Sequence, residues 1–141
     1  MFSVVSKTSG KYLVPGIDLY ADGRCLIRRF DGTEREKRVA PSELSELLRF
    51  LDQSGFFGMS NFLIDSKVKA AQILPGGGIR MRSVTDANFI LISARTTSKT
   101  NRIERYALDE ELEWYPEIAE LKAMRDAFRR VHEVVGEARR W

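Results

Sequence analysis

Asp18, Cys25 and His132 are the side chains of this sequence whose types could serve as base, nucleophile or metal ligand, and their spacing argues against each use. His132 is the only histidine and Cys25 the only cysteine. A zinc site needs three or four His, Cys or carboxylate ligands, and neither residue has a second His or Cys near it in sequence. Serines are plentiful, yet no Gly-x-Ser-x-Gly elbow occurs, and a serine with one remote imidazole is not a triad. The carboxylates fall mostly on turns and helix faces, so general acid–base work has no obvious home. Gly76, Gly77 and Gly78 suggest a phosphate loop, but no Gly-Lys-Ser/Thr follows, and the next residues have the pattern of a strand where such a loop would open a helix. They read as a flexible turn. Catalysis would require Asp18, Cys25 and His132 to converge in a cleft. The expectation is a protein with no catalytic residues, no metal and no cofactor.

Groups that could bind rather than react are more numerous. Arg80, Arg82, Arg102 and Arg105 alternate with apolar residues in strand-like stretches, which predicts a sheet with one positive face. From Arg80 to Arg105 six basic residues stand against Asp86 and Glu104, whereas the stretch from Asp109 to Glu120 holds six acids and no base. The acidic connection either folds beside the basic strands and screens them, or leaves a positive face that contacts phosphates, with Phe89 or Tyr106 stacking on bases. Trp114 and Tyr115 precede Pro116. Aromatics placed there either plug the core or serve as rigid anchors for a partner. The candidate partner-binding residues are therefore Trp114, Tyr115, Arg80, Arg82, Arg102 and Arg105.

The framework that must position these groups is an ordinary one. A chain of 141 residues, 43% hydrophobic and 30% charged, matches one globular domain. A domain of that size buries roughly two-thirds of its unfolded surface, so it needs no disulfide or metal to hold a core. Net charge is +3. No apolar run approaches the ~20 residues that span a bilayer. The first residues lack the charged and apolar regions of a signal peptide, so a cytoplasmic protein with no membrane partner is expected.

The organising element covers residues 41–54. Leu44, Leu47, Leu48 and Leu51 form one apolar stripe of helical period, Pro41 suits the first helical position, and Gly55 suits the left-handed residue beyond the end. Before it, residues 1–16 read as a strand or arm and 17–39 as a β-meander. Asp22-Gly23 predicts a two-residue type I′ hairpin with Leu19 opposite Leu26, and hence a core face of Ile17, Leu19, Leu26 and Phe30. The next turn places Arg29 opposite Glu34. The charged run from Glu34 to Arg38 belongs at a sheet edge. After it, residues 60–72 suit a short second helix capped by Ser60 or Asp65, and residues 79–108 suit strands, the most apolar being Asn88 to Arg95. Residues 116–135 form a last helix with Ile118, Leu121, Met124, Phe128, Val131 and Val135 on one face and Gly136 at its end.

Tyr20-Ala-Asp-Gly-Arg24, Ala40-Pro-Ser-Glu-Leu44, Gly55-Phe-Phe57, Thr85-Asp-Ala87, Tyr106-Ala-Leu108 and the tail from Tyr115 to Leu121 follow one another in an order that resembles a group of small bacterial α+β domains. More distantly, the plan is similar to that of emfourin, a protein inhibitor of thermolysin-like metalloproteases. The resemblance covers about residues 17–131 and rests on structural punctuation. It implies a protein partner, with a metalloprotease as one such partner, and no inhibitory motif maps residue by residue. The expected fold is α+β, an antiparallel sheet of about five to six strands with two main helices packed on one face. The expected function is a non-catalytic protein-binding domain whose partner the sequence does not name, a protease inhibitor being one form of it; the alternative is nucleic-acid or polyanion binding through the arginine-rich sheet face.

Overall fold

The computed structural model describes residues 2–8, 16–28, 32–73, 75–78, 88–96 and 98–136. The strand expected over residues 79–84, which carries Arg80 and Arg82, lies outside the described residues, as do Phe30 and Trp141.

The chain is α+β. Strands β2 (Gly16–Leu19), β3 (Arg24–Arg28) and β4 (Glu34–Arg38) form an antiparallel meander, and β5 (Asn88–Arg95) and β6 (Thr100–Tyr106) an antiparallel pair. Strand β1 (Phe2–Thr8) pairs antiparallel with both β2 and β5, which gives the order β4-β3-β2-β1-β5-β6. The helices are α1 (Pro41–Gln53), α2 (Asn61–Gln72), α3 (Leu108–Trp114) and α4 (Ala119–Val135), with a single 3₁₀ turn at Phe56–Gly58.

The first hairpin differs from the expected one. Gly23 N–H bonds to Tyr20 O at 2.9 Å and Tyr20 N–H to Arg24 O at 2.9 Å, so the loop is three residues, closed by Gly23 at φ +87°. This is a type I turn followed by a left-handed glycine. The extra residue moves the register by one, setting Leu19 opposite Cys25 and Ile17 opposite Ile27. A one-residue shift sends every side chain to the other face. Cys25 and Ile27 therefore join Ile17 and Leu19 in the core, and Leu26 is left half-exposed on the opposite face. The second hairpin likewise pairs Glu34 with Arg28 and not with Arg29.

Helix α1 begins at Pro41 with Ala40 as an uncapped N-terminus and buries Leu44, Leu47 and Leu51. It ends where Gly55 turns left-handed at φ +81°, sending Phe56 into the core at 1% exposure. Ser60 opens α2 by accepting the Leu63 N–H at 3.1 Å. The acidic connection is not a loop. Ala107, left-handed at φ +56°, starts α3, whose Asp109, Glu110 and Glu111 sit in the first turn, where the helix dipole favours negative charge. Leu108 and Leu112 point inward from it. Helix α4 begins at Ala119 rather than Pro116, because the chain first makes a turn that Ile118 N–H closes on Tyr115 O at 3.1 Å. Leu121, Met124, Phe128, Val131 and Val135 fill one core cluster with α1 and the inward residues of β2, β3, β5 and β6. Gly136 ends α4 left-handed, and Lys37 of β4 caps it by donating to Val135 O at 2.5 Å.

Candidate docking surface

Among the described residues, those singled out in the sequence do not form one site. Tyr115 is 4% exposed and belongs to the core cluster, and Trp114 packs half-buried against that cluster with the two rings edge to face at 6.5 Å. Tyr115 is thus a core plug rather than a surface anchor, because the turn before α4 points it inward. Asp18 faces away from Cys25 across the sheet, since it pairs with Leu26 while Cys25 pairs with Leu19. Its carboxylate meets Arg28 at 2.7 Å. Cys25 and His132 are both buried, and His132 Nδ1 lies 2.8 Å from Phe128 O. No group of three His, Cys, Asp or Glu among the described residues could hold a metal.

The expected positive face also fails at Arg105. Arg102 and Arg105 are an odd number of residues apart on β6, so strand alternation places them on opposite faces: Arg102 exposed, Arg105 on the inner face with Ile103. Arg105 is 7% exposed. Its Nε and Nη2 donate to Glu111 Oε1 and Oε2 at 3.0 and 2.7 Å, and its Nη1 donates to Asp65 at 2.7 Å. Burial alone would lower its pKa, but the hydrogen bonds it donates to Glu111 and then to Asp65, with the attraction of both carboxylates, outweigh it and hold the pKa above the usual arginine value. This guanidinium is committed to tying β6 to α3 and α2, and has no fork left for a phosphate.

Sequence reasoning missed what lies beside that tie. Two asparagines close the outer edge of β6: Asn61 Oδ1 accepts the Glu104 N–H at 3.2 Å, and the Asn101 amide donates to Phe56 O at 2.7 Å and Met59 O at 2.8 Å. They fix the entry into α2 and so decide which way its first turn faces. Phe62, Leu63 and Ile64 are consecutive, and at ~100° per residue one helix face cannot bury all three. Ile64 takes the core position. Phe62 is left 77% exposed and Leu63 52%, with Ile73 just past the helix end at 61%. Next to Leu63 opens a groove of about 250 Å³ between the Ser54–Ser60 connection and the start of α4, with Met59, Leu63 and Ala119 as its apolar walls and Glu120 at one side. Gly55 and Gly58 line it, and a Cβ on either would meet nothing within 4 Å. Lys67 of α2 pairs with Glu120, and that hydrogen bond holds the Glu120 carboxyl below the usual glutamate value against the opposing effect of burial.

No family model matches the chain, and no curated protein matches it. Among the described residues no helix is long and apolar enough to cross a membrane.

Proposed function

We propose that this chain is a non-catalytic protein-binding domain and that its docking surface is the first turn of α2 with the groove beside it. The observation that carries the reading is Phe62, a large aromatic ring 77% exposed on a helix whose neighbouring Ile64 is fully buried. Exposed aromatic side chains beside a concave apolar surface are the usual anchors of protein interfaces. The groove, about 250 Å³, lies below the roughly 300–1,000 Å³ of small-molecule sites, which suits one inserted side chain better than a cofactor.

Polyanion binding has less support, since Arg105 is consumed by two carboxylates. The resemblance to emfourin makes a thermolysin-like metalloprotease the first enzyme to assay as a partner. The test is an affinity capture with the wild-type chain and with Phe62→Glu at ~0.15 M and ~1 M salt, since polyanion contacts weaken steeply with salt. A discrete protein retained at high salt by the wild type and lost by Phe62→Glu supports the reading. Retention of nucleic acid alone, released by salt and indifferent to Phe62, overturns it.

A further inference from the structure

We infer that the end of the β3–β4 ladder formed by Arg24 and Arg38 binds a phosphate dianion, either the free ion or the end of a phosphomonoester. The site involves none of the residues of the α2 docking surface. The register sets Arg24 of β3 directly opposite Arg38 of β4. Val39 N–H bonds to Gly23 O at 2.8 Å, so Gly23 and Val39 belong to a hydrogen-bonded pair. Such pairs alternate along an antiparallel ladder, which makes Arg24 and Arg38 a non-hydrogen-bonded pair, the kind whose side chains stand closest. Both are exposed, and strand alternation places them on the face away from the buried Cys25 and Ile27.

Like charges directly opposite one another are destabilising. The remaining pairs of this ladder avoid them: Arg28 faces Glu34, and Leu26 faces Glu36. Nor does the chain neutralise Arg24 and Arg38. The Arg24 guanidinium lies over the Tyr20 ring, 4.3 Å from its centroid, and Arg38 Nη1 donates to Asp22 O at 3.3 Å. Both of these partners are neutral. Asp22 turns its carboxylate to the backbone, where Oδ1 accepts the Arg24 N–H at 2.9 Å. Among the described residues neither guanidinium is ion-paired, in contrast to Arg28 with Asp18 and Arg105 with Glu111. The two are held in place while most of their donors stay available, since Arg38 commits one of five N–H groups.

Two guanidiniums at one point match a ligand with two charges at one point. A phosphomonoester carries about −1.5 to −2 at pH 7 on three acceptor oxygens, and arginine forks meet such oxygens bidentately. A nucleic-acid strand spreads its charge one per phosphate and is tracked by a positive groove with rings free to stack on bases. Tyr20, the ring beside this pair, is already covered by Arg24. A site this exposed should hold free phosphate with a Kd on the order of 1 mM.

Titration of the full chain with inorganic phosphate and with O-phosphoserine at constant ionic strength, followed by amide chemical shifts in NMR, tests this. The expected result is saturable movement confined to residues 20–24 and 36–39. Arg24→Gln and Arg38→Gln should each raise the Kd about tenfold with an unchanged far-UV circular dichroism spectrum. Arg102→Gln, exposed on β6 but facing Ser93, should leave the Kd unchanged, and so should Phe62→Glu. Phosphate binding and protein capture through α2 can therefore each fail without the other. Tighter binding of O-phosphoserine than of phosphate assigns the site to a monoester, and equal or weaker binding assigns it to the phosphate ion. No saturation by about 50 mM overturns the inference. So does an equal loss in Arg102→Gln, or tighter binding of a single-stranded oligonucleotide that lacks a terminal phosphate.

Discussion

Arg105 and Glu111 meet fork to fork, Nε to Oε1 at 3.0 Å and Nη2 to Oε2 at 2.7 Å, with the guanidinium side chain 8% exposed and the carboxylate 13%. A buried pair contributes little net stability compared with apolar residues, but removing one member strands the other. Glu111→Ala leaves Arg105 with only Asp65, which is half exposed, and should cost roughly 3 kcal/mol in urea denaturation. Arg105→Met combined with Glu111→Leu should recover most of that loss. Equal losses in the single and the double variant would show that packing, not charge, sets the cost.

Gly23 and Gly55 are both left-handed, at φ +87° and +81°, but only one is crowded. A Cβ on Gly23 would lie 2.4 Å from the Val39 carbonyl oxygen, whereas one on Gly55 would meet nothing within 4 Å. Gly55→Ala should therefore cost the backbone conformation alone, about 1–2 kcal/mol. Gly23→Ala should cost clearly more, because the Val39 N–H bond to Gly23 O at 2.8 Å has to give way as well. Thermal unfolding of the two variants checks the order, and equal losses would refute it.

The same glycine shows where reading the sequence stops. Asp-Gly serves a two-residue turn and a three-residue turn with a bulge equally well, and what distinguishes them here involves Val39, just past the end of β4. A register that depends on a distant contact cannot be read from the dipeptide. The elements set by local chemistry were legible: Pro41, the leucine stripe and Gly55 for α1, and the apolar face from Leu121 to Val135 with Gly136 for α4. Two features are present in the sequence but masked by charge. Leu108 and Leu112 lie one turn apart with three acids in between, a helix start whose charge run has the pattern of an acidic connection. The odd spacing of Arg102 and Arg105 already placed them on opposite faces. The docking surface was the least legible part, because three consecutive apolar residues announce a helix without saying which of them it buries.

Tyr115 separates the plug from the anchor. Its ring is buried, and its hydroxyl, also buried, has no hydrogen-bond partner among the described residues. A buried hydroxyl without a partner is a desolvation cost that phenylalanine does not carry. Tyr115→Phe should leave stability unchanged or raise it by up to about 1 kcal/mol, whereas Tyr115→Ala should lose about 3–5 kcal/mol as an aromatic cavity opens. A stability loss above 1 kcal/mol in Tyr115→Phe would point to a hydrogen bond to that hydroxyl.

Glu120 gives the groove a pH dependence. Its pKa is lowered in the folded chain by Lys67, so its contribution is complete above the unfolded value of about 4.5 and is lost as pH falls through the lower folded value. The Glu120 side chain is 23% exposed and its partner 53%, so the contribution should stay under about 1 kcal/mol. Lys67→Met removes the cause of the shift. The stability of the variant should fall less steeply with acidification below about 4.5 than that of the wild type. Parallel curves would show that the pair contributes nothing in solution.

Asn101 links the sheet to the docking surface. Its amide donates to Phe56 O at 2.7 Å and Met59 O at 2.8 Å, while its Oδ1 accepts the Arg102 N–H at 2.8 Å. These bonds hold the connection that leads into α2, and with it the direction of Phe62 and the width of the groove. Asn101→Ala takes the amide donor from two part-buried carbonyls, of which Phe56 O keeps the Met59 N–H at 3.2 Å, and should cost about 1–2 kcal/mol. Because the lost bonds are local, hydrogen exchange should quicken first over residues 56–64 and not in α4, which is held by its own apolar face. If that segment opens while the core stays protected, partner binding through Phe62 should weaken before global stability does. Uniformly faster exchange across α4 as well would show that Asn101 supports the whole domain and not the docking surface in particular.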